Sequence, residues 1–327
     1  MKRRTLIVLA GDGAATLAGW RVAVAQPAPI PRIGFLGATE AAPEVVAPCL
    51  AGLAEAGFHE GRNVAVDYRW ANNDLGRLPA LAAELLRSPL AVLVTSGGVP
   101  AARAAMAAAS GVPIVFEVGR DPVLSGLVAS LSRPGGNATG VYMLTSDLNA
   151  KRFQLLREMV PRAASIALLV NPANVGARPI ENEVRHAAVA AGVKWQVLRA
   201  SNEREIDDAF TILAASPGAA LIVGNDAFFN SRRAQLVAAT TRLAAPAIFE
   251  WRAFAAAGGL MSYGTDFAGV WRQAGAYAAR VLKGDKPAEL PIVQPTRFEL
   301  VINRKTAKAL GLAIPQSLLL RADEVIE

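Results

Sequence analysis

The chain has 327 residues, a formal charge of +7, 53% hydrophobic and 19% charged side chains, two histidines and one cysteine. That length predicts two domains, and the composition is too apolar for a disordered chain and too often interrupted by charge for a polytopic membrane protein. A single cysteine excludes an internal disulfide and a thiolate zinc site, and any imidazole chemistry is confined to His59 and His186.

At the N-terminus, Lys2, Arg3 and Arg4 precede an apolar run from Thr5 to Trp20, and Ala23-Val24-Ala25 is a small-x-small cleavage pattern. This predicts an export signal removed after Ala25. Asp12 and Arg21 make the run a poor membrane anchor, and the same two charges, with no capping residue, argue against a core helix. The Arg3-Arg4 pair leaves twin-arginine export open, but such a pair is also what an ordinary n-region carries, and the ordinary signal is the favoured reading. A lipoprotein would need a cysteine just after the apolar run, and Cys49 lies well inside. Cleavage removes four basic groups and one acid, so the charge falls to +4. The remaining basic residues are scattered among acids, as from Arg199 to Asp208, and form no stripe interleaved with aromatics. No nucleic-acid partner is expected. The expected location is periplasmic, as a soluble protein.

After a Pro-rich leader, Arg32–Gly37 reads as a strand, Val45–Ala56 as a helix and Asn63–Trp70 as an alternating strand. Leu78–Arg87 and Pro100–Ser110 read as helices, and Leu90–Thr95 and Pro113–Val118 as strands. This β-α-β-α-β order predicts a parallel sheet covered on both faces. The turn cluster Arg133-Pro134-Gly135-Gly136-Asn137 separates it from a second series. There, strands are expected at Ala138–Met143, Ser165–Val170, Trp195–Leu198, Ala220–Val223, Pro246–Glu250 and Leu260–Tyr263. Helices are expected at Leu148–Val160, Ile180–Ala191, Glu203–Ala215 and Arg232–Leu243. A helix at Phe267–Lys283, a Pro-rich crossing, a strand at Arg297–Asn303 and a short terminal helix complete the chain.

In an open α/β sheet the ligand crevice lies beyond the carboxyl ends of the strands, where helix N-termini offer N–H groups. The residues there are Gly37-Ala38-Thr39-Glu40, Ser96-Gly97-Gly98-Val99, Gly119-Arg120-Asp121-Pro122, Asn171-Pro172-Ala173-Asn174, Gly224-Asn225-Asp226 and Tyr263-Gly264. Around Gly98, backbone N–H groups before Pro100 suit a carboxylate, although a tight strand-to-helix turn explains the same glycines. Asp226 suits an ammonium group, or a helix N-cap, and Asp121-Pro122 suits a turn better than a ligand contact. Tyr142, Phe228, Trp251 and Tyr263 flank these loops as candidate apolar walls, or as plain core.

Catalytic signatures are missing. Ser96 lacks a nucleophile elbow, neither histidine follows a strand end, and no dinucleotide fingerprint or phosphate loop occurs. No catalytic residue, metal ligand or cofactor is expected.

The ordered text Ile33-Gly34-Phe35-Leu36-Gly37, Glu60-Gly61-Arg62-Asn63-Val64, Tyr68-Arg69-Trp70-Ala71, Arg77-Leu78-Pro79, Asp121-Pro122-Val123, Gly126-Leu127-Val128, Arg133 to Asn137 and Lys151-Arg152 resembles one family. Gly258 to Gly264 and Lys305 to Leu312 extend the match over nearly the whole mature chain. The family is that of ABC-transporter substrate-binding proteins related to tryptophan/tyrosine-type components. The resemblance implies an α/β, type I periplasmic-binding-protein fold of two Rossmann-like lobes with parallel sheets and three interlobe crossovers. The lobes would comprise residues 26–145 with about 265–287, and 146–264 with about 288–327. It implies a monomer that closes on a small-molecule ligand and delivers it to an ABC permease in the inner membrane. An amino acid, often aromatic, is the implied ligand class, and Glu117-Val118-Gly119-Arg120 is more charged than the family pattern there.

On this reading Ala38, Thr39, Ser96, Gly97 and Gly98 hold the ligand's acidic end, Asp226 its ammonium, and Tyr142 or Tyr263 cover its apolar part. Val118, Asp121, Asn171, Asn174 and Glu250 complete the expected ligand-binding set. The alternatives are a binding protein for an aromatic acid, a nucleoside or another solute, an exported α/β hydrolase, and a sugar-sensing regulator. The last would need a DNA-binding head and no export signal.

Overall fold

A computed structural model of the chain describes residues 30–144 and 148–327, so the expected export segment lies outside the described residues. The first lobe alternates β1 (Arg32–Gly37), α1 (Pro43–Glu55), β2 (Ala65–Trp70), α2 (Leu78–Leu85), β3 (Val92–Ser96), α3 (Val99–Ala108), β4 (Ile114–Val118) and β5 (Ala138–Tyr142). Its five strands lie in the order β2-β1-β3-β4-β5, all parallel. β3 and β4 are buried along their whole length, which explains their nearly unbroken apolar sequence, since a central parallel strand is covered on both faces.

The second lobe contains α4 (Asn149–Met159), β6 (Ser165–Val170), α5 (Ala177–Ala190), β7 (Trp195–Arg199), α6 (Glu203–Ala214), β8 (Ala219–Val223), α7 (Ala227–Ser231), α8 (Arg233–Arg242), β9 (Ala247–Phe249), α9 (Arg252–Ala256) and β10 (Met261–Thr265). The chain then returns to the first lobe through α10 (Phe267–Leu282), which packs along α1. At their crossing, a Cβ on Gly275 would sit 1.9 Å from the Cys49 carbonyl oxygen, and one on Gly52 1.9 Å from that of Arg272. Only glycine lets the two backbones come so close. The third passage runs beside β5, where the Val293 N–H donates to Gly140 and the Val293 carbonyl accepts from Tyr142, so the edge of the first sheet is covered.

After that passage β11 (Phe298–Asn303), α11 (Arg304–Ala309), α12 (Gln316–Leu319) and β12 (Glu324–Ile326) complete the second lobe. Its sheet has the order β12-β11-β10-β9-β8-β6-β7, parallel except between β10 and β11. The exception follows from the route. The chain leaves at Thr265 and re-enters beside it, so Phe298 pairs with Thr265 and the new strand must run backwards. Two local expectations are corrected here. The tail ends in strand β12, not in a helix, because Val301 to Asn303 offer a free edge to Glu324–Ile326, and α9 adds a short turn of helix that the apolar spacing did not predict.

Candidate functional site

The carboxyl ends of both sheets face a cleft of about 520 Å³ between the lobes, within the range that encloses a small solute. On the first-lobe side, β1 and β3 end at Gly37 and Ser96, which lie side by side in register. Gly97 and Gly98 follow with φ of 96° and 81°, a left-handed conformation that favours glycine. A Cβ on Gly97 would also lie 2.3 Å from the Ala38 side chain. Gly98 then caps α3 without a side-chain hydrogen bond, and Pro100 occupies the first turn. The first-turn N–H groups of an α-helix have no intrahelical acceptor and carry the positive end of its dipole. Gly98, Val99 and Pro100 of this terminus line the cleft next to Ala38 and Thr39.

On the second-lobe side, Asn171, Asn174 and Asp226 form one polar cluster. Asp226 Oδ1 accepts from Asn171 Nδ2 at 3.0 Å and from the Phe228 and Phe229 N–H groups at 3.0 and 3.3 Å. Its Oδ2 accepts from Asn174 Nδ2 at 2.7 Å. Asp226 is therefore the N-cap of α7 and is held by four donors. Burial raises its pKa from the ordinary carboxylate value, against the pull of those hydrogen bonds.

Aromatic side chains close the inner wall. Trp251 follows β9, Phe267 and Trp271 lie on α10, and the Trp251–Phe267 and Phe267–Trp271 ring centroids are 4.8 and 6.3 Å apart. Phe228 lines the cleft from α7. Between these walls stand two buried acids. Glu117, on β4, is 5% exposed and accepts the Gly97 N–H at 3.4 Å; burial pushes its pKa up to about 7. Glu250, after β9, is 7% exposed. Burial pushes it up to about 8, opposed by the positive charge of Arg152. Arg152 is fully buried behind it, donating to the Tyr263 carbonyl at 2.8 Å and to Asn149 Oδ1 at 3.0 Å. Burial lowers its pKa to about 10.

Nine expected ligand-binding residues line the cleft: Ala38, Thr39, Ser96, Gly97, Gly98, Asn171, Asn174, Asp226 and Glu250. Four do not. Val118 and Tyr142 are paired in register on β4 and β5 and both enter the first-lobe core. Tyr263 stacks on Phe298 at 6.3 Å, over the second-lobe core. Asp121 forms a turn, accepting the Val123 and Leu124 N–H groups at 2.7 and 3.1 Å. Residues that line the cleft without having been expected there include Glu117, Phe267, Trp271 and Asn73. Glu117 had a signal in sequence, as a lone acid inside the apolar run Pro113–Val118, whereas Trp271 reads as ordinary helix core. His59 and His186 are both exposed and outside the cleft. Among the described residues, no group of three or more His, Cys, Asp or Glu could hold a metal ion, and no helix is long and apolar enough to cross a membrane.

The profile of the family described as ABC transporter substrate binding protein matches residues 39–326. A tyrosine-binding protein of Clostridioides difficile (strain R20291) is 27% identical over 262 residues, covering 80% of this chain and 74% of its own. Among solved structures, a conserved domain protein from Vibrio cholerae superposes with a TM-score of 0.82 at 26% identity, over 91% of this chain and all of its own. An ABC domain from Streptococcus pneumonia in complex with L-Trp superposes with a TM-score of 0.81 at 25% identity, with the same coverage. The two-lobed architecture is the type I periplasmic-binding-protein fold, joined here by three crossovers.

Proposed function

Because this chain belongs to the family of ABC transporter substrate-binding proteins, we propose that it captures a small amino-acid-like ligand with an aromatic side chain for an ABC importer. The observation that carries the reading is the pairing, across one cleft, of the α3 N-terminus with the aromatic wall of Trp251 and Trp271. The first-turn N–H groups and the helix dipole receive a carboxylate, while the rings bury a flat apolar group. The tyrosine-binding relative and the L-Trp complex support the same ligand class. Asn171, Asn174 and Asp226 shape the opposite wall.

The protein works as a monomer in the periplasm, exported with cleavage after Ala25, and presents its closed form to an inner-membrane permease. Residues 26–145 with about 265–287, and 146–264 with about 288–327, move as the two lobes. A ligand shifts their open–closed equilibrium only through its higher affinity for the closed form. The test is thermal unfolding with a panel of amino acids. A true ligand at ~100 times its dissociation constant stabilises the fold by about 2.7 kcal/mol. Native mass spectrometry of the freshly purified protein identifies any ligand carried with it. No shift with any amino acid would exclude this ligand class.

A further inference from the structure

The charges of the cleft do not balance. Glu250 from the second lobe stands close enough to Asp226, and to Glu117 from the first lobe, to be repelled by both. The buried cation beside them, Arg152, already donates to Tyr263 and Asn149. At the rim, Arg232 is paired with Glu40 and Glu203, Arg233 with Glu44, and Arg120 donates to the Val175 carbonyl.

The three acids are not equivalent. Asp226 is filled by four donors that also hold α7 in place. Glu250 Oε2, in contrast, is buried with no hydrogen-bond partner among the described residues, as is Trp271 Nε1 on the first-lobe side of the same cleft. Among the described residues Glu117 accepts a single long hydrogen bond. A buried polar atom left unsatisfied is costly, and more so where a charge is involved, so these are the groups that a ligand would complete.

We propose that the ligand must carry a protonated amine, seated between Glu117 and Glu250, and that these two residues, not Asp226, determine specificity for it. The inference rests on the amino-acid reading above and assigns its ammonium. The carboxylate lies on the α3 N-terminus next to Gly97, the amine bridges the acids of the two lobes, and Trp271 Nε1 donates to an acceptor on the ligand. Because the acids belong to different lobes, the amine joins them only when the cleft is shut. Aromatic acids and nucleosides, which lack such an amine, leave both carboxyls buried and unmatched.

The experiment is calorimetric titration of the full mature chain with L-tryptophan and L-tyrosine, the amine tyramine, and the deaminated acid indole-3-propionate. Glu117→Gln and Glu250→Gln variants are titrated in parallel. An amino acid or tyramine binding at least 100-fold more tightly than indole-3-propionate, with each Gln variant losing at least 10-fold for the amines, is the expected result. Indole-3-propionate binding as tightly as tryptophan overturns the inference but leaves the solute-binding reading intact. So does an amine affinity within twofold of wild type in both variants. If no probe binds, the amino-acid reading falls and this inference with it. A variant that fails to fold does not obscure the answer, because the comparison of amine with deaminated acid uses the unaltered protein.

Discussion

Glu40 and Arg232, 192 positions apart in sequence, meet across the mouth of the cleft with Oε1 and Nη2 at 2.8 Å. Beside them Arg233 reaches Glu44 at 3.3 Å, Arg120 donates to the Val175 carbonyl at 3.0 Å, and Ser231 reaches Asn73 Oδ1 at 3.5 Å. All four contacts join the first lobe to the second.

The latch is a modest one, because Glu40 is about half exposed and exposed ion pairs contribute roughly 0.2–1 kcal/mol. Glu40→Gln should weaken ligand binding by about fivefold or less at low ionic strength, and by a smaller factor in 1 M salt. Arg232→Ala should do more, since Arg232 also pairs with Glu203 at 3.0 Å and lies over the Phe228 ring. Titration calorimetry at two salt concentrations measures both, and equal affinities for wild type and Arg232→Ala would remove the latch from the closing equilibrium.

Glu250 and Glu117 predict an unusual pH dependence for the ligand-free protein. Their folded pKa values, about 8 and about 7, lie above the ordinary value of 4.5. From about pH 5 upward the unfolded chain has therefore released protons that the folded protein still holds. Stability should fall as pH rises from about 5 to about 8, and then level off. The groups facing Glu250 are Arg152, Trp251, Asp226 and Glu117, and of these only Arg152 counters its burial with positive charge. Urea midpoints across this range should show a shallower decline in Glu250→Gln, the difference from wild type building up steadily from about pH 5 to about pH 8. Superimposable profiles for wild type and variant would contradict the burial of this carboxyl.

Asp226→Ala removes the cap of α7 and leaves Asn171, Asn174 and two backbone N–H groups without their acceptor. A lost cap costs about 0.5–2 kcal/mol and each unsatisfied buried donor adds to it. The expected loss is about 2–4 kcal/mol, read from denaturant unfolding, with Asp226→Asn recovering part of it. Binding should weaken as well, through the displaced second-lobe wall.

Gly275→Ala tests the seat of α10. The added Cβ would meet the Cys49 carbonyl at 1.9 Å, a backbone atom that cannot turn aside. Forcing α1 and α10 apart should cost about 1–3 kcal/mol or more. It should also shift Phe267 and Trp271, which ride on α10. A melting temperature equal to that of wild type would show that the helices separate without strain.

Much of this architecture is legible in the sequence. Short apolar runs separated by Ala-rich helical stretches announce a parallel, doubly covered sheet, but the turn at Arg133–Asn137 does not mark where the series restarts, because the strand after it, Ala138–Tyr142, pairs with Ile114–Val118 as the last strand of the first sheet. Small and polar residues after the strands locate the cleft, and Ser96-Gly97-Gly98-Val99-Pro100 names the α3 terminus correctly, because positive φ and close approach demand glycine.

The faces of the strand ends are another matter, and only the tertiary structure decided them. Side chains alternate along a strand, so one residue of difference in register moves a group from cleft to core. Tyr142 and Val118 fall on the core side while Glu117 falls on the cleft side. The direction of β11 was likewise settled by where the third crossover re-enters the second lobe. Most of all, the convergence of Glu117 with Glu250 and of Glu40 with Arg232 joins residues far apart in the chain. Local propensity carries no information about such pairs, and the closing of two lobes on one cleft creates them.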